Sequence, residues 1–165
     1  MGSDDREIRI VQGEEVVSEV TETDHVVALS PLRLALYGYG LSNGTVGVYD
    51  RTKRVWRLKS KNQVSAIRGF DLDADDVPEL IAGWSSGKLE VRSDDTGDVI
   101  YKDAFPSAIA ALVQADYRMD RREEVIAISV DGEVRGYLPA QPELAAGAGA
   151  AGPSADDAAL SELLQ

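Results

Sequence analysis

Three aspartates at alternate positions, Asp71, Asp73 and Asp75, followed by Glu79 in "FDLDADDVPEL", are the residues whose types and spacing carry the most chemistry in this sequence. In a calcium loop of the D-x-D-x-D-G kind, carboxylates at positions one, three and five converge on one ion. A glycine at six makes the sharp turn, and a later carboxylate completes the oxygen shell. Asp71, Asp73 and Asp75 fit the first three positions, and Glu79 can supply the later ligand. Asp76 stands where the glycine belongs, and it has to adopt a positive φ that Asp tolerates less well than Gly. Pro78 stiffens the chain just before Glu79. The competing reading is an interstrand turn in which Asp side chains bond nearby backbone amides. That reading is preferred, because a few carboxylates in a loop are ordinary without the turn residue, and no metal-binding residue is assigned.

Other chemistries find less support. The sequence has no cysteine, so a disulfide framework, a thiolate zinc site and a cysteine nucleophile are all excluded. A Ser-His-Asp triad or an imidazole zinc site would have to use His25, the one histidine, which sits in strand-like "DHVVALS" with no partner motif. Paired carboxylates are abundant, but no spacing marks a glycosidase pair. No catalytic or cofactor-binding residue is assigned. "RTKRVWRLKSK" carries six basic residues from Arg51 to Lys61. Strand alternation puts Trp56 and Leu58 on one face and Arg57, Lys59 and Lys61 on the other. Such a stripe suits an acidic partner or anionic lipid, but lysines and arginines also protect an exposed strand edge, which is the preferred reading. "DYRMDRREE" (116–124) reads as a surface ion-pair patch, with Arg118, Arg121 and Arg122 as a weaker docking candidate. Trp56, Trp84, Tyr101 and Tyr117 read as packing residues and not as a base-stacking platform.

The elements that position these residues follow from the whole chain. At 165 residues and 44% hydrophobic side chains it has material for one globular core. Its net charge of -12 opposes nucleic-acid binding. No stretch approaches the roughly 20 apolar residues of a membrane-spanning helix. The opening "MGSDDR" has Arg6 where a myristoylation signal wants Ser or Thr.

Three stretches share a pattern of apolar run, glycine turn and alternating strand: "LALYGYGLSNGTVGVYD", "ELIAGWSSGKLEVRSDDTG" and "EVIAISVDGEVRGYLP". Their turn glycines, Gly44, Gly87 and Gly132, are 43 and 45 residues apart, the length of one four-stranded propeller blade. Asn43-Gly44, Ser86-Gly87 and Asp131-Gly132 read as primed two-residue hairpin turns. The expected strands are Val26–Leu29, Leu34–Tyr39, Val46–Tyr49 and Val55–Lys59, then Ala66–Asp71, Glu79–Gly83, Leu89–Ser93 and Val99–Lys102, then Ile109–Ala115, Glu124–Ser129 and Val134–Leu138. A hairpin turning at Gln12-Gly13 precedes them. The expected fold is therefore all-β, a partial β-propeller of four-stranded antiparallel blades. Residues 1–24 form a half-blade hairpin and 25–140 about three blades. A ring needs about four to eight blades, so this length reads as part of a longer protein. The Ala/Gly/Pro stretch 141–153 reads as a flexible linker, and 154–165 as the start of a helix or coiled coil with Leu160, Leu163 and Leu164 on one face.

The strings "LSNGTVGVYDRT" (41–52), "WRLKSKN" (56–62), "FDLDADDVPELIAGWSSGK" (70–88), "RSDDTGDVIYKDAF" (92–105), "SAIAALVQADYRMD" (107–120) and "SVDGEVRGYLP" (129–139) resemble the Bardet–Biedl syndrome protein 2 family of BBSome subunits. The resemblance implies the second half of an N-terminal seven-bladed propeller followed by a coiled coil. It implies a non-enzymatic scaffold of a coat-like complex that carries membrane proteins to and from cilia. Subunits related to proteins 7 and 9 of the same series are the implied partners, and the implied localisation is the cilium, its basal body and the cytoplasm, peripheral to membrane. Glu79 is placed as in the shorter acidic loop of integrin-type propellers, but Asp76 departs from that pattern. A calcium-binding propeller module is the alternative. A part-propeller exposes a blade face and strand edges, so the isolated chain is expected to self-associate.

Overall fold

The alternating runs become strands throughout residues 5–140, the part of the chain that the computed structural model describes, and no helix interrupts them there. The strands are β1 (Glu7–Gln12), β2 (Glu15–Thr21), β3 (Val26–Pro31), β4 (Leu36–Leu41), β5 (Thr45–Asp50), β6 (Lys53–Lys59), β7 (Val64–Phe70), β8 (Glu79–Trp84), β9 (Lys88–Arg92), β10 (Val99–Ala104), β11 (Ile109–Ala115), β12 (Glu124–Ser129) and β13 (Val134–Tyr137). They form four antiparallel sheets in simple meander order: β1-β2, β3-β4-β5-β6, β7-β8-β9-β10 and β11-β12-β13. The arrangement is a partial β-propeller. The linker and the C-terminal helix expected from the sequence lie outside the described residues.

No single sheet can bury both of its faces, so the sheets stack. Every residue of β8 is buried, because its alternate side chains enter two different cores. Leu80, Ala82 and Trp84 pack with Val46 and Val48 of the sheet before, whereas Ile81 packs with Val125, Ala127 and Ile109 of the sheet after. A third cluster joins Ile8 of the first hairpin to Tyr39, Leu41 and Tyr49. Close approach between sheets needs small residues on the second strands. A Cβ added to Gly38 would meet Leu80 Cδ1 at 2.3 Å, and one added to Gly83 would meet Ile109 Cγ2 at 2.6 Å.

β12 shows what happens where no sheet follows among the described residues. Val125 and Ala127 are fully buried toward the preceding sheet, but Ile126 and Ile128 are only half-buried. Register pairs Ile126 with Val113 and Ile128 with Val134 on that open face, where Val113 is 43% and Val134 60% exposed. At the other end of the arc the open face of β1 and β2 is charged, with Arg9 paired to Asp5, Glu7 and Glu19.

The turns differ from expectation in one respect. Gly44, Gly87 and Gly132 have φ of 83°, 83° and 90°, but Asn43, Ser86 and Asp131 are not in the left-handed region. Each glycine amide donates to the last residue of the preceding strand, Gly44 to Leu41, Gly87 to Trp84 and Gly132 to Ser129, at 3.0–3.1 Å. These are three-residue loops, an ordinary turn closed by one left-handed glycine, and not primed two-residue turns. The two-residue form occurs instead at Gly13-Glu14, where Gly13 has φ 64° and Gln12 pairs with Glu15. The expected strand start at Leu34 is also corrected. Leu34 has φ 47° and lies fully exposed in a turn closed by hydrogen bonds between Leu32, Arg33 and Leu36, so its apolar side chain packs on nothing.

Gly83→Ala is expected to destabilise the fold by about 1–3 kcal/mol, the cost of overpacking a site that cannot yield. Its added carbon would stand 2.9 Å from the branched Cβ of Ile109 as well. A denaturant midpoint equal to that of the parent chain would refute this.

Candidate functional site

The loop between β7 and β8 brings the four sequence-predicted carboxylates together. Among the described residues, Asp71, Asp73, Asp75 and Glu79 are the one group of potential metal-ligating side chains, with an oxygen from each within 4.8 Å of the others. His25, exposed just before β3, is not part of it. The loop is built by its own amides. Asp71 accepts from the Asp75 and Asp76 N–H groups at 3.2 and 3.0 Å, Asp75 accepts from Val77 at 2.8 Å, and Glu79 accepts from Leu72 at 2.7 Å. Asp76 does take the positive φ its position demands, 68°, and Ala74 takes another at 63°. Glu79 is buried at 3% exposure. Burial pushes its carboxyl up to about 7; the Leu72 amide opposes this, and the charges of Asp73, Asp71 and Asp75 reinforce it. Burial and the Asp75 charge likewise raise Asp73.

The loop between β11 and β12 repeats this construction, which the charge pattern of "DYRMDRREE" conceals. Asp116 accepts from the Asp120 and Arg121 amides at 3.0 and 2.9 Å, and Asp120 accepts from Arg122 at 3.0 Å. Met119 and Arg121 carry the two positive φ angles, 56° and 68°. With an offset of 45 residues, Asp116 matches Asp71, Asp120 matches Asp75 and the buried Glu124 matches Glu79. Arg118 stands where Asp73 stands. Its guanidinium donates to Glu124 at 2.9 Å and lies 3.4 Å from Asp120. The second loop thus carries a cation inside the chain, and the first carries a fourth carboxylate. The signal was in the sequence, as two strings of equal length under a blade-length offset. Because the same turn forms around Arg118, its geometry does not depend on a metal. The carboxylates of 71–79 offer the hard oxygen donors that calcium takes, yet the hydrogen bonds already assign them to closing the turn.

Sequence reasoning missed a second buried polar group. Glu22 follows β2 and has a fully buried carboxylate that receives the Tyr49 hydroxyl and lies 3.3 Å from Arg54. Arg54 also donates to the Tyr49 oxygen at 2.9 Å and sits over that ring at 5.5 Å. An irregularity of register between Val48 and Tyr49 sets Arg54 opposite Tyr49. Tyr37 and Tyr39 stack beside Tyr49, and the Tyr39 hydroxyl is buried without a hydrogen-bond partner among the described residues. The cluster ties the first hairpin to the next sheet. On β6, Trp56 and Leu58 pack inward while Arg57, Lys59 and Lys61 face solvent with no ion-pair partner among the described residues. Trp56 donates to the Asp94 carbonyl at 2.9 Å, and Arg33 grips the Asp94 carboxylate at 2.8 Å.

Comparison with known proteins adds the following. The profile of the family described as ciliary BBSome complex subunit 2, middle region, matches residues 1–92. The chain is 56% identical over 144 residues to the human BBSome complex member BBS2, covering 87% of this chain and 20% of that protein. It is 30% identical over 137 residues to the Caenorhabditis elegans BBSome complex member bbs-2, covering 83% of this chain and 18% of that protein. The chain therefore spans about a fifth of the length of these curated relatives. Among solved structures, BBS1N crystallised in complex with ARL6DN superposes with TM-score 0.72 at 19% identity, over 86% of this chain and 42% of that one. The WD40 β-propeller domain of Doa1 gives 0.67 at 15% identity, over 85% and 46%. These likenesses show the fold alone.

The raised Glu79 fixes a pH dependence. A carboxyl whose folded value lies above its unfolded one binds its proton more tightly in the folded state. Its contribution to stability is then fully present below the ordinary value of 4.5 and is lost as pH rises to about 7. In EDTA the loss should be on the order of 2–3 kcal/mol. Asp73→Arg, which imitates Arg118, should shrink it; urea midpoints of both proteins between pH 4 and 8 check this, and a flat parental profile would refute it.

Proposed function

Because the chain belongs to the ciliary BBSome complex subunit 2 family, we propose that it is a non-enzymatic structural portion of a BBSome-like coat complex. It provides protein–protein contacts for the trafficking of membrane proteins to and from cilia. The observation that carries this reading is the 56% identity to a BBSome complex member, sustained over 144 residues. In the proposed organisation, residues 1–24 are a half-blade, 25–140 about three blades, 141–153 a linker and 154–165 the start of a helix or coiled coil. The partners are the subunits related to proteins 7 and 9 of the Bardet–Biedl series. Cargo is reached indirectly through the complex, and nucleic acid is not a partner. The site of action is the cilium, its basal body and the cytoplasm, on the membrane only through the complex. No catalytic, cofactor-binding or metal residue is part of the proposal.

Exchanging residues 5–140 for the matching stretch of the human relative should yield a protein that still co-purifies with the other complex members. A folded chimera that fails to do so would overturn the assignment.

Isolated from the rest of such a protein, the chain self-associates. The half-buried Ile126 and Ile128, flanked by Val113 and Val134, support this, because an apolar sheet face of this kind favours a partner over water. Light scattering should show a mass that rises with concentration and reverts to one chain in Ile126→Asp. A monomer at every concentration would count against it.

A further inference from the structure

The third sheet has three strands where its two predecessors have four, and the surroundings of its open edge are shaped for one more. The turn glycines measure this. In the first two sheets the turn glycine is met by the incoming or outgoing outer strand. A Cβ on Gly44 would strike the Ser60 carbonyl oxygen at 2.6 Å, and one on Gly87 the Phe105 carbonyl oxygen at 2.3 Å. Both glycine carbonyls accept a hydrogen bond there, Gly44 from Ser60 and Gly87 from Phe105. At Gly132, with the same backbone turn, nothing stands within 4 Å.

Beside that edge runs a groove of about 480 Å³. Ile100 and Tyr101 of β10, Gly136 and Tyr137 of β13, and Leu72 and Asp73 of the acidic loop line most of it. Tyr101 and Tyr137 meet edge to face at 6.0 Å within it, and Tyr137 is anchored by its hydroxyl to Asp103 at 2.6 Å. The groove is thus bounded by the outer strand of one sheet and the last strand of the next.

The chain's own continuation is directed elsewhere. Past β13, the Ala140 amide donates to the Leu72 carbonyl at 2.8 Å, which carries the backbone across to the preceding sheet instead of back along β13. Residues 141–165 contain no Val, Ile, Thr, Phe, Tyr or Trp, the residues that strands favour. The edge also lacks protection. β6 and β10 are outer strands with exposed Lys53, Lys59 and Lys102, but β13 exposes Val134 and Gly136, and its one charge, Arg135, is tied to Asp103 and Glu133. A bare edge of this kind is a template for pairing.

We propose that β13 and this groove receive an extended peptide segment that residues 5–165 do not contain. It adds as an antiparallel fourth strand of the third sheet, with alternate apolar side chains seated between Tyr101 and Tyr137. Main-chain hydrogen bonds supply the attraction and the two tyrosines the selection. With a net charge of -12 on the chain and Asp73 on the groove wall, the fitting segment is basic on its other face, as the outer strand β6 is. The inference rests on the sheet edge and not on membership of the coat complex.

The probe is a synthetic peptide with the sequence of residues 51–61, RTKRVWRLKSK, added to the full chain and followed by amide hydrogen exchange. Exchange at residues 134–137 should slow at least about tenfold at millimolar peptide, with β9 unchanged. Val134→Lys, a substitution at an exposed site, should abolish the slowing. No slowing, or equal slowing by a scrambled peptide of the same charge, overturns the proposal. So does protection of β13 in the chain alone: if it grows with protein concentration a second copy fills the edge, and if it vanishes on truncation after Ala140 the tail does.

Discussion

Pressing an apolar side chain of one sheet against a glycine of the next is the contact on which the rest of this arc depends. Leu80 fills the space over Gly38, and Ile109 fills the space over Gly83. A four-stranded sheet with two apolar faces has no stable existence alone, because each face would be left to water. Stacking solves this only if the second strands, which carry the densest apolar runs, let their neighbours in. The arrangement propagates: each sheet is buried by the one after it, so its cost is passed along the chain until the last sheet. There Ile126 and Ile128 occupy the positions that Ile81 and Gly83 hold one blade earlier. Two large side chains at this point mean that whatever covers the face has to bring a small residue opposite Ile128 or stand further off.

The two acidic loops show how backbone and charge separate. Asp71 and Asp116 do the same mechanical work, each accepting two amides to fold a five-residue reversal with two left-handed residues. What sits inside the reversal differs in sign. Arg118 neutralises Glu124 and Asp120 within the chain, whereas Asp73 adds to the negative charge around Glu79. The first loop therefore holds its buried carboxyl only by favouring the protonated form, and the second holds it ionised beside a guanidinium. A carboxylate cluster alone would suggest a cation; its sister loop shows that the turn is specified by the first and third aspartates.

The blade-length period was legible because glycine at a left-handed position is a strong local demand, and Gly44, Gly87 and Gly132 meet it at the spacing of the sheets. Strand extents followed within a residue or two wherever apolar runs ended at such turns. Turn type was not legible: Asn43-Gly44 serves a primed turn and a three-residue loop equally, and only the register of the flanking strands separates them. Leu34 failed for the opposite reason, since an apolar residue in a tight exposed turn leaves no trace in alternation. The Glu22, Tyr49 and Arg54 cluster joins residues up to 32 apart through a register irregularity, and no local pattern announces it. Arg118 was misread as surface charge because net sign was weighed before position in the repeat.

The two ends of the arc are not equivalent, and this limits how it can be extended. At the first hairpin the open face carries Arg9 with Asp5, Glu7 and Glu19, a face whose charges are matched among themselves and which is tolerable in water. At the last sheet the open face is aliphatic and the open edge is unguarded. Stacking a charged end on an apolar end would desolvate Arg9 and its carboxylates with no compensating partner, a cost that exceeds what a few aliphatic contacts return. Head-to-tail growth of identical arcs is therefore disfavoured by the same side chains that keep the first hairpin soluble. Association at the apolar end is left as the favoured course, and it has to join like to like or bring in a different surface.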